Sequence, residues 1–133
     1  MTTNKSLWGD LWWVDSAIKK HKESPFYILS KQGEMLANLT DGLLYGKVAI
    51  QDNNVLGITL TYSIEAPSLC YSFPLFRVVQ TINIYPLTIM WQEKEDESIR
   101  LQCNNREEFE ENLHKVLSSE RTYKVIASLQ AMF

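Results

Sequence analysis

Histidine and cysteine are scarce in this chain. Two of each occur in 133 residues: His21, His114, Cys70 and Cys103. None stands in an HxxH, HExxH or CxxC spacing, so the sequence offers no dedicated zinc site and no thiol-redox motif. Glycine is also rare. The five glycines, Gly9, Gly33, Gly42, Gly46 and Gly57, are scattered. They read as turn or bulge positions, and no phosphate-cradling loop or GxSxG elbow can be built from them. Basic clusters are missing from the strand-like segments, where Arg77 and Arg100 stand alone. With a net charge of −3, the chain lacks the electrostatic footprint of a nucleic-acid binder. No stretch of about 18 uncharged apolar residues exists, so no membrane span is expected.

The same shortages bear on catalysis. His21 sits among Lys19, Lys20 and Lys22, where a helix end favours cations. His114 follows Glu110 by four residues, the spacing of a surface ion pair. Cys103 facing His114 would make a Cys–His pair, but its parity with Ile99 and Leu101 puts the thiol in the core as an inert filler. Cys70 shares its parity with Ser72 and reads as the more exposed thiol. An enzyme would need an unusual set, such as a tyrosine with Glu65. The chain therefore reads as a non-enzyme with no catalytic residue, cofactor or metal to assign. No secretory segment precedes the body of the chain, which points to a cytoplasmic protein with both thiols free.

What is present suffices for a core. Hydrophobic residues make up 45% of the chain and charged residues 22%. At this length, folding buries roughly two thirds of the unfolded surface, and residues 1–133 read as one domain. Residues 6–22 carry Leu7, Leu11, Val14 and Ile18 on one helical stripe. Phe26–Ser30 and Met35–Leu39 read as two short strands around a turn at Gly33. Thr40-Asp41-Gly42 reads as a hairpin turn into a strand at Leu43–Gln51. Val55–Glu65 alternates, with Ile58, Leu60, Tyr62 and Ile64 on one face. A strand from Leu69 to about Thr81 contains Pro74, which demands an edge or a bulge. Ile84–Gln92 and Ser98–Cys103 then pair across the charged tip Glu93–Glu97. Asn105 caps a helix with Glu108 three residues on, and Ser118-Ser119 breaks it before a second helix. That second helix places Tyr123, Ile126, Leu129 and Phe133 broadly on one side. The expected class is α+β: an antiparallel meander of about six or seven strands, one N-terminal helix and one or two C-terminal helices.

Two features exceed what a core needs. Eight of the sixteen acids lie between Glu93 and Glu111, with Glu93, Glu95, Asp96 and Glu97 in the tip itself. Such a field suits docking of a basic protein, and Lys19-Lys20-His21-Lys22 at the other end makes a homodimer conceivable. Trp8 and Trp12 flank the apolar stripe of the first helix while Trp13 points away from it, and tryptophan is enriched at binding hot spots. The leading expectation is a protein-binding domain of adaptor, chaperone-like or inhibitor type that uses Trp8, Trp12, Trp13 and the acidic tip. The alternative is a small-molecule binder with an apolar pocket between sheet and helices, walled by Tyr62, Tyr71, Phe73, Tyr85 and Trp91.

Overall fold

Ser24 and Pro25 open the first described helix. The Ser24 hydroxyl accepts from the Tyr27 N–H at 3.3 Å, and Pro25 sits at the first helical position, where its missing N–H costs nothing. The helix, α1, runs Pro25–Leu39. The computed structural model describes residues 24–51, 57–81, 83–92 and 98–133. The helix expected over 6–22, with Trp8, Trp12 and Trp13, lies outside the described residues, as does the tip with Glu93, Glu95, Asp96 and Glu97.

Helix α1 replaces the two strands expected at Phe26–Ser30 and Met35–Leu39. Pro25, Ile28, Leu29 and Gly33 are its buried residues, a helical stripe and not a period of two. Gly33 is no turn. It is the point where α1 touches the sheet, and a Cβ there would collide with the Gly46 carbonyl. Asp41 and Gly42 do take positive φ, 52° and 81°, but they end the helix instead of joining two strands. The Gly42 N–H reaches back to the Ala37 carbonyl at 2.8 Å, closing a Schellman-type cap. Buried Thr40 fastens this corner. Its hydroxyl oxygen lies 2.9 Å from the Leu36 carbonyl and 3.0 Å from the Leu44 carbonyl, and it accepts from the Leu44 N–H at 3.1 Å.

Five strands follow: β1 Tyr45–Gln51, β2 Ile58–Ala66, β3 Tyr71–Gln80, β4 Leu87–Trp91 and β5 Ile99–Cys103. They pair in chain order as an antiparallel meander. A short 3₁₀ turn, Pro67–Leu69, links β2 to β3. Helices α2, Arg106–Leu117, and α3, Glu120–Gln130, close the described chain. The class is thus α+β, with, among the described residues, a five-stranded antiparallel sheet, one helix before it and two after. The strand count falls below the expected six or seven because the first two expected strands are α1.

One sheet face carries the core. Leu60, Tyr62 and Ile64 of β2, Phe76 and Val78 of β3, Leu87, Ile89 and Trp91 of β4 and Cys103 of β5 are buried with Leu29 of α1 and Phe109, Leu113 and Val116 of α2. The alternation expected in β2, β4 and β5 is observed. Pro74 stands at a bulge: it opposes Ser63 while Phe76 opposes Tyr62, leaving Leu75 as the extra residue. This extra residue changes the parity of the strand. Tyr71 and Phe73, opposite Ala66 and Ile64, share a face with Phe76 and Val78.

The helical ends follow the expected capping. Asn105 accepts from the Glu108 N–H at 2.9 Å, and Glu108 reaches back to the Asn104 N–H at 3.3 Å. The chain breaks at Ser118-Ser119, and Ser119 caps α3 by accepting from the Thr122 N–H. In α3 the buried positions are Thr122 and Leu129. Tyr123, expected with Leu129 on the inner side, is 73% exposed, and Thr122 takes the inner place. Its hydroxyl donates to the Val116 carbonyl at 2.7 Å, so a polar side chain ties α3 to the end of α2.

Two outcomes follow from this packing. Gly33→Ala, a change that usually stabilises a helix, should here destabilise the fold by about 1–3 kcal/mol, because backbone of β1 occupies the Cβ position; denaturant melts of the variant check the sign. Burial raises the Tyr62 phenol to about 12. The neutral phenol is the form the fold keeps, so its contribution is complete below about pH 10 and declines as pH rises through 12. Alkaline melts should show a loss of roughly 2–3 kcal/mol over that window, smaller in Tyr62→Phe.

Candidate functional site

The bulge at Leu75 and the turn before β3 prepare a surface at one end of the sheet. Cys70, at φ 51°, takes the chain out of the 3₁₀ turn and into β3. From there Tyr71 and Phe73 point toward the helical side, but neither is fully buried. Helix α3 lies opposite them. Between the two elements runs a groove of about 740 Å³. Its floor and walls include Leu69, Tyr71 and Phe73 from the sheet side, Val125 and Leu129 from α3, and Met132 just beyond the end of that helix. Tyr71 is 47% exposed and Met132 65%, so the opening displays apolar side chains to solvent.

The rim is charged. Glu120, Arg121 and Lys124 border the groove. Lys124 pairs with Glu120 at 3.1 Å, an exposed i, i+4 contact. Exposed pairs of this kind contribute only a few tenths of a kcal/mol, so Lys124 is free to exchange partners. Arg121 is more firmly held. Its guanidinium lies 6.0 Å from the Phe73 ring centroid and donates through Nη1 to the Gln92 carbonyl. On the far side of Arg121 is a smaller notch of about 330 Å³, bordered by Arg77, Trp91 and Ser98 among others.

The residues expected to wall a pocket separate into three places. Tyr71 and Phe73 line the groove. Tyr62 lies inside the core, stacked on Phe76 with centroids 5.1 Å apart. Trp91 ends β4 as a buried ring that borders the notch, and Tyr85 is half-buried against the core. The groove therefore takes two of the five, and most of the rest of its lining comes from α3. Arg121, Lys124, Val125 and Ser128 recur at helical spacing along one flank of that helix, and Met132 follows just past its end. That stripe was present in the sequence, but it lies beside the buried stripe and carries as much charge as apolar surface.

The titratable groups show where reactivity is and is not supported. Cys103 is buried, and burial raises its thiol, with a hydrogen bond from Asn112 Nδ2 at 3.3 Å opposing the shift and Glu108 adding to it. Glu110 pairs with Arg106 at 2.9 Å instead of with His114, which would have been its i, i+4 partner in the other direction. Among the described residues no group of three or more His, Cys, Asp or Glu side chains could hold a metal ion, and no helix is long and apolar enough to cross a membrane. Cys70 and Cys103 are both free thiols, the first exposed and the second buried. A thiol reagent should accordingly modify one cysteine of the native protein quickly, with Cys70→Ser abolishing that phase. Cys103 should react only on unfolding, and equal rates at the two positions would contradict the packing.

The chain matches no protein-family model, and neither a characterised protein nor a solved structure matches it significantly.

Proposed function

We propose that this is a non-enzymatic binding domain whose docking surface includes the groove between β3 and α3, and that its occupant is an apolar segment of another protein. One observation carries the reading. The groove is lined mainly by apolar side chains, among them the exposed Tyr71 and Met132. Large exposed apolar side chains gathered at one concavity mark an interaction site far better than the same residues scattered. The rim favours a partner with negative charge near its apolar anchors, since Arg121 and Lys124 outnumber Glu120 there. The acidic run 93–97 and the tryptophans of 6–22 stay within the proposal as further contact surfaces, the former suited to a basic region of the partner. A cytoplasmic setting fits an exposed free thiol at Cys70.

A second reading keeps the same site but fills it with a small apolar molecule. The placement of Tyr71 and Phe73 between sheet and helix favours it, as does a volume inside the usual ligand range of roughly 300–1,000 Å³. Photo-crosslinking separates the two. With a benzophenone side chain at position 132 of the full chain, illumination in cells should yield a polypeptide adduct that is lost in Val125→Asp. A small-molecule adduct in its place would support the second reading, and the absence of any Val125-dependent adduct would remove both.

A further inference from the structure

Helix α1 carries a second stripe beside the one that packs on β1. Ile28, Gln32, Met35 and Leu39 recur at i, i+4, i+7 and i+11. Ile28 is buried, but Met35 is 51% exposed and Leu39 82%. The stripe borders two concavities that share Gln32 and Leu117. One, of about 430 Å³, lies against Leu113 and His114 of α2, and the other, of about 190 Å³, against Ile126 of α3. Together they make a trough along α1, with α2 and α3 as its far wall. Single exposed apolar side chains are ordinary, whereas two on one helical stripe above a trough mark a packing face without a partner.

We infer that this trough is filled by residues 6–22 of the same chain, folded back along α1 as the first arm of a helical hairpin. Those residues lie outside the described part, and three observations select them. The chain enters α1 in the right way. Ser24 is extended, at φ −71° and ψ 147°, and Pro25 after it keeps a preceding helix from running through, so the turn falls at Glu23-Ser24. Antiparallel helices are joined by turns of roughly two to five residues. The lengths agree as well: residues 6–22 as a helix span about 25 Å and α1 about 22 Å. The patterns are complementary. Read in the antiparallel sense, Ile18 meets Ile28, Val14 meets Gln32, Leu11 meets Met35 and Leu7 meets Leu39, and every one of these pairs is centred on Glu23. A hairpin turning at 23–24 therefore brings the two stripes into register. An isolated helix of this length is marginal in water, so the segment needs an apolar face to lie on. Trp13, which points away from the stripe, stays outward, where the partner of the proposed function can reach it. The inference does not depend on what fills the groove between β3 and α3.

The test is a cysteine pair in the full chain carrying Cys70→Ser, so that buried Cys103 is the one native thiol left. Leu11→Cys with Met35→Cys should oxidise under mild copper catalysis to an intramolecular disulfide, read as a monomer of altered mobility on a non-reducing gel. Trp13→Cys with Met35→Cys, which is out of register, should oxidise roughly tenfold more slowly. Equal rates for the two pairs overturn the register. A disulfide-linked dimer as the main product in dilute protein gives the trough to a second copy and overturns the assignment to the chain's own segment. Leu39→Gln probes the same face without a crosslink. It should lower the unfolding midpoint by several degrees, and its effect should be less than additive with that of Leu7→Gln. An unchanged midpoint in Leu39→Gln, or full additivity of the two substitutions, overturns the inference.

Discussion

The approach of two backbones at Gly33 and Gly46 sets the geometry on which the rest depends. Neither residue has a side chain, so α1 can lie directly on β1, and a Cβ on Gly46 would come within 2.8 Å of the Gly33 Cα. The same missing side chain leaves room for the Tyr62 ring, whose hydroxyl would also collide with a Gly46 Cβ. One contact thus fixes how closely the helix sits, where Tyr62 lies and, through Tyr62 and Phe76, how the middle of the sheet is filled. Thr40 then holds the helix end to the start of β1 by hydrogen bonds on both sides of the turn. Close packing here is a steric condition more than an energetic contribution: a methyl group in the wrong place has nowhere to go.

This contact also explains which parts of the fold could be read from the residues. β2, β4 and β5 were legible because each has a face that alternates and a partner close in sequence. The capping signals at Asn105 and Ser119 were legible for the same reason, since a cap acts within three or four residues. Helix α1 was not. Gly33 lowers local helix propensity, and Phe26, Tyr27 and Ile28 suit a strand, so local signals favour a hairpin. The reason for Gly33 is Gly46, thirteen residues away and on another element. The Ser24-Pro25 pair did announce a helix start, but it serves equally well as the end of a preceding one.

The candidate site was half legible. Tyr71 and Phe73 stood out as aromatic residues in a strand, and nothing in their own neighbourhood distinguishes them from Tyr62 or Trp91. Exposure separates them, and exposure is decided by where α3 stops covering the sheet. That in turn depends on Thr122, whose hydroxyl is satisfied by the Val116 carbonyl deep under the helix pair. A buried threonine with a specific acceptor orients α3 so that Tyr123 faces out and Val125 and Leu129 face the groove. The hydrophobic pattern of the helix alone would have turned Tyr123 inward.

The bulge in β3 links the scaffold to the surface it presents. Without the extra residue Leu75, strand parity would place Tyr71 and Phe73 on the opposite face from Phe76 and Val78. The core could then be completed by the second half of the strand alone, and the aromatic pair would point away from every described helix. With the bulge, one strand supplies core residues in its second half and groove residues in its first, on the same face. Leu75 itself is buried, so the insertion is packed and not merely tolerated. Pro74 suits the position beside the bulge because the ladder is interrupted there, and proline has no N–H to donate to it. Bulges add local twist and re-aim side chains. Here the register shift is what sets an aromatic floor opposite α3, so the groove belongs to the fold's framework and not to a loop that could be exchanged without disturbing it.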